Sequence, residues 1–574
     1  MEALKTIVHD IWKEYSIKKD RNIPKLSCYY RKGSGKEGYY AERESGKITL
    51  EVETVQAAVS AAHQLGMASM SGHLAEYLGK RSPHFSLRPL WIACTYPVMI
   101  SSRIFVRIPS WAHEALQEST LDNALDLFCS RLSQMGYNAL VIGTWDRSPL
   151  AEIEPEELSI HPFFTGIRQR GFKVLLKPEV PCSGELESTS IKEFTHLGEA
   201  FEDLREYGEN YDFIFWESHA TKRDQNSEKF YREYTFSERI SLEVKELEGR
   251  LPDDKGLVYF LHAANPVIAM EQAYSFEEIS DDVGKKTILS FSVVAGEPYN
   301  DNLSYHPIWE QLRTVSDESY TPLLPIIDVG AVGNGQGLWP VLPLDTISAC
   351  FSRMYRHHFA GAIAMASYLP AKGTFVDCAL WVTGQMLWKP HCPYLLAKTW
   401  FLANRLSPSE SWDEQALRNI RDISLRLKRF SNIRECTKQN SLVEESYRLE
   451  AEGLLNALNH LKVKYSCEEE QVNEEMGSPN LANYLRYFIR DAKRIILNSL
   501  QRESVSLPSV LDGEDLYEGF WTNMAQGRKK GIGGQVKIFF LKEPNVAEND
   551  PVMNAIYSEN HLFMNHRNAF IIKY

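Results

Sequence analysis

Short apolar runs recur along the first two thirds of the chain, separated by amphipathic stretches. Eight of them start near Arg103 (RIFVRI), Asn138 (NALVIG), Phe172 (FKVLLK), Asp212 (DFIFW), Leu257 (LVYFLH), Thr287 (TILSFSVV), Leu323 (LLPIID) and Gly361 (GAIAMAS), at intervals of 30 to 45 residues. Continuous runs, rather than alternating ones, fit parallel strands covered on both faces. Each interval leaves room for a loop and one helix. LDNALDLFCSRLSQMG shows such a helix, with Leu125, Phe128, Leu132 and Met135 on one face before Gly136. Repeated βα units of this size predict a (β/α)₈ barrel, with an open doubly wound sheet as the alternative. No G-x-G-x-x-G follows the first run, which weakens a dinucleotide-binding reading.

The flanks differ from this pattern. Residues 1–97 read as a small α/β accessory domain. Two strands, GYYAERES and GKITLEVE, join near Ser45 and Gly46, and a helical stretch from Thr54 is interrupted by Gly66 and Gly72. GSGKEG, Gly33 to Gly38, lacks the spacing and the Ser or Thr of a phosphate loop and reads as a turn. Residues 98–388 form the predicted barrel. Residues 389–574 read as mainly helical with a short mixed tail. There Leu454, Leu455, Leu458 and Leu461 make a stripe expected in the core, and QVKIFFLKE and FIIKY read as strands.

At 574 residues the chain exceeds one compact core. A net charge of −13 speaks against a general nucleic-acid or acidic-membrane binder. No stretch has the ~18 uncharged apolar residues of a membrane span, and the N-terminus lacks the apolar core of a signal peptide. The nine cysteines are scattered without a C-x-x-C pair, so neither a zinc site nor a disulfide framework is expected, and a cytoplasmic location is the default. No metal or cofactor is expected.

The chemistry follows the apolar runs. Ser110, Trp111 and His113 come after the first, Trp145 after the second, and Lys177 and Glu179 after the third. Trp216, Glu217 and His219 follow the fourth, His262 and Asn265 the fifth, Glu297 the sixth, and Asp328 and Trp339 the seventh. In a barrel these positions share the C-terminal face, where such folds do chemistry. Aromatic rings, planar polar groups and carboxylates together suit a sugar site. Glycosidic cleavage needs one carboxylic acid and one carboxylate. Glu217 is the expected general acid, kept protonated by Trp216 and the apolar strand. Asp328 is its expected partner and Glu297 the second choice. Trp145, Trp216 and Trp339 are expected to stack on sugar, and Lys177, His262 and Asn265 to bind its polar groups.

The layout, with TVQAAVSAAHQLG…HFSLRPLW, FIFWES, the acids Glu297 and Asp328, and CALWVTGQMLWKP, resembles the α-glucuronidases (glycoside hydrolase family 67) and, more distantly, β-N-acetylhexosaminidase-like enzymes. The resemblance implies a general acid at Glu217 and two carboxylates acting on water at Glu297 and Asp328. It implies a glycoside hydrolase acting on a sugar or oligosaccharide, with a uronic acid conjugate as one substrate class. Two departures stand out: Trp216 occupies the place of the Asp in a hexosaminidase Asp-Glu pair, and the later acids run Glu then Asp rather than Asp then Glu. The rival expectation is a degenerate barrel serving as a carbohydrate-binding or interaction protein; a lyase or isomerase on the same barrel is a weaker third. A homodimer through the C-terminal helical region completes the expectations.

Overall fold

The computed structural model describes mainly residues 24–143, 158–179, 204–217, 236–261, 283–292, 321–330, 344–366, 375–403 and 441–464, with short gaps inside some, and shorter pieces at 8–15, 415–430, 489–496, 536–540 and 569–573. Four strands open the chain: β1 (Lys25–Tyr30), β2 (Tyr39–Glu44), β3 (Lys47–Val52) and β4 (Gly79–Arg81). They form one sheet in the order β1-β3-β2-β4. The expected hairpin joins β2 to β3 through Ser45 and Gly46, both at positive φ, as a tight hairpin turn requires. The helix Val55–Ser71 backs this sheet. Thr54 caps its start by accepting from the Ala57 N–H at 3.1 Å, and Gly72, at φ +85°, ends it. Gly66 does not break it. A side chain there would sit 2.3 Å from the Tyr15 ring, so the glycine permits close packing instead.

Eight parallel strands then close into a barrel: β5 (Pro89–Ile92), β8 (Ala139–Ile142), β9 (Lys173–Leu176), β10 (Phe213–Glu217), β11 (Gly256–Leu261), β12 (Thr287–Ser292), β13 (Leu323–Gly330) and β14 (Ile363–Ala366), with β14 pairing back onto β5. Seven of the eight predicted runs fall on these strands. The first does not. RIFVRI contributes β7 (Ile104–Ile108), which turns back on β6 (Tyr96–Ser101) as an antiparallel hairpin. The true first strand is the four-residue PLWI, wholly buried. A run with an apolar neighbour just upstream pairs locally before it pairs across a barrel. Ser110, Trp111 and His113 therefore sit on the helix Ser110–Gln117 beyond that hairpin, not at the end of a barrel strand. Trp111 packs on Phe128 with ring centroids 4.6 Å apart, and His113 is buried and stacked on Tyr96.

Alternate positions of the strands divide two cores. Trp91, Val141, Leu175, Phe215, Val258, Phe260, Leu324, Ile326 and Ile363 fill the barrel interior. Their neighbours in sequence face the surrounding helices. Filling by large side chains makes the cylinder a packed core rather than a pore.

The N-terminal end of the barrel is closed by Arg88. Its guanidinium is almost fully buried and donates to the Gly136 and Phe85 carbonyls, both at 2.8 Å, and to the Glu37 carboxylate. Burial lowers the Arg88 pKa from its ordinary value, and Glu37 opposes that. Asn138 accepts from the Arg88 backbone N–H at 2.8 Å and donates to Glu37 at 3.0 Å. Trp388, on the helix Phe375–Trp388, lies beneath the guanidinium and donates to the same Gly136 carbonyl at 3.1 Å. Glu37 comes from the GSGKEG segment, whose residues 33–36 lie outside the described residues. The segment thus supplies a carboxylate to a buried arginine.

Farther along, Leu454, Leu455, Leu458 and Leu461 are buried on the helix Ser441–Lys464, as expected. β15 (Val536–Phe540) and β16 (Ala569–Lys573) pair antiparallel. The basic, glycine-rich stretch GRKKGIGG (527–534), which reads in sequence as a solvated loop, lies outside the described residues, and no described helix is long and apolar enough to cross a membrane.

Arg88→Met removes the cation and strands the Glu37 carboxylate beside the Gly136 and Phe85 carbonyls. The expected cost is about 3–5 kcal/mol, read as a lower first unfolding transition in thermal and urea melts. An unchanged transition would mean that this cluster does not tie the barrel's base.

Candidate active site

β10 presents its residues alternately. Phe213 and Phe215 point into the barrel, where Phe215 meets Trp91 and Phe260 with centroids 5.0 and 5.5 Å away. Ile214 and Trp216 point out toward the helices. Glu217 is the next inward position, at the strand's C-terminal end.

The same parity applies on β9. Leu175 is inward, and Lys177, two residues on, shares its side. The Lys177 ammonium lies 3.1 Å from Glu217 Oε2, with side-chain exposures of 7% and 19%. Three features fix the lysine. Its backbone N–H donates to the Ile142 carbonyl at 2.8 Å. Its Cβ and carbonyl press on Gly143, where an added side chain would lie 2.6 and 2.7 Å from them. Gly143 is held in turn by the Trp91 indole, which donates to its carbonyl at 3.0 Å from within the barrel. Gly143 has φ +144°, a conformation that favours glycine.

Two expectations change here. Trp216 is not a stacking platform beside Glu217. It stands on the opposite face of the strand, 3% exposed, and its indole donates to Glu243 at 2.8 Å; the hydroxyl of its register partner Tyr259 donates to the other oxygen of that carboxylate. Adjacent residues on a strand face opposite sides, so Trp216 cannot dehydrate Glu217. Glu179, two residues past Lys177, has its own partner. Glu179 accepts from Arg107 Nε at 3.0 Å, and its backbone bridges Phe105, which pins the β6–β7 hairpin to the end of β9. A cation 3.1 Å from a poorly exposed carboxylate favours its ionised form. A resting general acid needs the reverse.

Asp328 lies on β13 in the alternate series of Leu324 and Ile326, opposite Met365 of β14, with a register shift between Asp328 and Gly330. Its side chain lies outside the described residues, as do Glu297, Trp145, His219, His262, Asn265 and Trp339. Among the described residues, no group of three His, Cys, Asp or Glu is placed to hold a metal ion. Sequence reasoning missed Gly143, Arg107 and Glu243 as supports of this mouth. Only Gly143 carried a signal, a glycine directly after a strand.

Gly143→Ala forces a side chain against Lys177 in strained backbone. The expected cost is about 1–3 kcal/mol, read as a lowered thermal midpoint. Measured in a Lys177→Gly background, which removes one of the two contacts, the Gly143→Ala cost should be smaller than in the wild-type background.

No protein-family model matches the chain, and no curated protein matches it in sequence. Among solved structures it is similar to a GH138 enzyme targeting pectin rhamnogalacturonan II. That match has 11% identity and a TM-score of 0.51, and covers 92% of this chain and 71% of that one. A family 89 glycoside hydrolase from Clostridium perfringens matches at 9% identity and TM-score 0.45, covering 97% of this chain and 77% of that one. A GH20 exo-β-N-acetylglucosaminidase from Vibrio harveyi matches at 11% identity and TM-score 0.39, covering 70% of this chain and 72% of that one. These neighbours are glycoside hydrolases, and what the chain shares with the GH138 enzyme is the fold, a closed (β/α)₈ barrel within a larger chain.

Proposed function

We propose that the protein is a glycoside hydrolase that cleaves a glycosidic bond by a two-carboxylate mechanism. The observation that carries the reading is a poorly exposed Glu217 at the C-terminal end of the fourth barrel strand, held by a buried lysine. That end of a closed parallel barrel is where such folds place their chemistry. Asp328 at the end of β13 is the preferred second carboxylate, and Glu297 the alternative. Trp145 and Trp339 supply stacking, and His262 and Asn265 bind hydroxyls. For the substrate we propose a uronic acid conjugate, because an ammonium at the mouth suits an acidic sugar. The N-terminal four-stranded sheet and the C-terminal helical region (389–574) serve as accessory domains to the barrel, which begins at β5, ahead of the expected boundary at residue 98.

One observation favours a second reading. The lysine that sits on Glu217 also gives the carboxylate a purely structural partner. A barrel whose key acid is so occupied could bind sugar without turning it over.

The test is a screen of aryl-glycosides and aryl-uronides with wild type and Glu217→Gln, alongside calorimetric binding of the free sugars. Turnover by wild type that falls about a hundredfold or more in the variant is the expected result. Sugar binding with no turnover in either protein would select the binding module.

A further inference from the structure

We propose that Lys177 is a positioning residue that keeps Glu217 a carboxylate ion in the resting protein, so that Glu217 attacks carbon or activates water and a different carboxyl group donates the proton. The inference rests on the hydrolase reading and reassigns the role of its central acid.

The geometry is that of a built pair. The ammonium and Glu217 Oε2 are 3.1 Å apart, and neither side chain is open enough to water for the attraction to be strongly screened. The lysine stem has little freedom to leave, since its backbone is tied to Ile142 and its Cβ rests on Gly143. From β9 the charged group facing Glu217 is thus Lys177; from β11 its register partner is Phe260. Glu179, two residues beyond the lysine, is engaged by Arg107. The dehydrating surface that would keep Glu217 neutral is missing at Trp216, whose ring lies behind the sheet with Glu243.

Either ionised role balances. As a nucleophile, a Glu217 oxygen bonds to the anomeric carbon while the glycosidic C–O bond breaks, and the leaving oxygen takes the proton of the second carboxyl group. Water then bonds to the anomeric carbon, returns a proton to that group, and Glu217 departs as a carboxylate. As a base, Glu217 takes a proton from water as that oxygen bonds to carbon and the second carboxyl group protonates the leaving oxygen. In both, water is the only other reactant and Glu217 must start without a proton.

The first measurement needs no substrate. Infrared spectra of protein carrying ¹³C-carboxyl glutamate, wild type minus Glu217→Gln, isolate the Glu217 band and are titrated from pH 8 down. The expected wild-type band at pH 7 is that of a carboxylate. In Lys177→Met its protonation midpoint moves up by about one pH unit or more, and in Lys177→Arg it returns toward wild type. A neutral carboxylic-acid band in wild type at pH 7, or an equal midpoint in wild type and a folded Lys177→Met, overturns the proposal; where that variant does not fold, the wild-type titration decides. The second measurement is turnover against leaving group. An ionised role makes the Glu217→Gln loss equally large for nitrophenyl and for alkyl leaving groups, and moves the acid limb of the Lys177→Met profile upward. A loss that vanishes with a good leaving group makes Glu217 the acid and refutes the inference while leaving the hydrolase reading intact. Wild type that cleaves no glycoside, with Glu217 still ionised, refutes the hydrolase reading and upholds the ion-pair assignment.

Discussion

A closed cylinder of eight parallel strands leaves almost no place for charge below its rim. The interior positions are taken by Trp91, Phe215, Phe260 and branched aliphatic residues, with the three rings 5.0 to 6.2 Å apart. A charge in those layers would be stripped of water without a partner at hand. Toward the C-terminal end, the inward series of β9 and β10 pass from Leu175 and Phe215 to Lys177 and Glu217. Their meeting follows from parity and strand adjacency, and the interior below fixes both.

The barrel carries a buried cation at each end, and the two are solvated differently. At the base, the Arg88 fork is met by two carbonyls and a carboxylate, with Trp388 beneath it. Such a set of planar, directional acceptors matches guanidinium geometry and has little left to offer a ligand. At the mouth, Lys177 is a compact point charge, set against a carboxylate oxygen at 3.1 Å. Buried pairs recover their desolvation cost only when the remaining donors and lone pairs are also satisfied. At the base, all three Arg88 guanidinium nitrogens find an acceptor within the protein.

Much of this was legible in the sequence, for a specific reason. Seven barrel strands announced themselves because each is a continuous apolar run isolated by loops, and the β2–β3 turn because Ser45-Gly46 suits positive φ. The first strand hid because PLWI is four residues long and lies just ahead of a stronger run, RIFVRI, that had a local partner in YPVMIS. Glu217 was legible as the end of its strand. Its environment was misread because Trp216 is next to it in sequence, and in a strand that adjacency means the opposite face. Counting by two from Phe215, or from Leu175 to Lys177, gives the pair that forms. Glu37 and Arg88 were invisible for a different reason: 51 residues separate them, and no periodicity links a turn to the residue before a strand.

The distinction between a fold and its activity lies in these few atoms. A barrel shared with a glycoside hydrolase at 11% identity supplies the cylinder and its mouth and leaves the chemistry open. In the proposed hydrolase the chemistry depends on how the protein sets the charge of the carboxylate at the end of β10. Burying that group against rings would favour its neutral form, whereas a lysine 3.1 Å away favours the anion. Trp216 turned outward to Glu243, and Gly143 shaped to admit the Lys177 stem, both favour the second outcome. In the proposed two-carboxylate site, the side of the strand on which the Trp216 ring lies bears on which carboxyl group carries the proton.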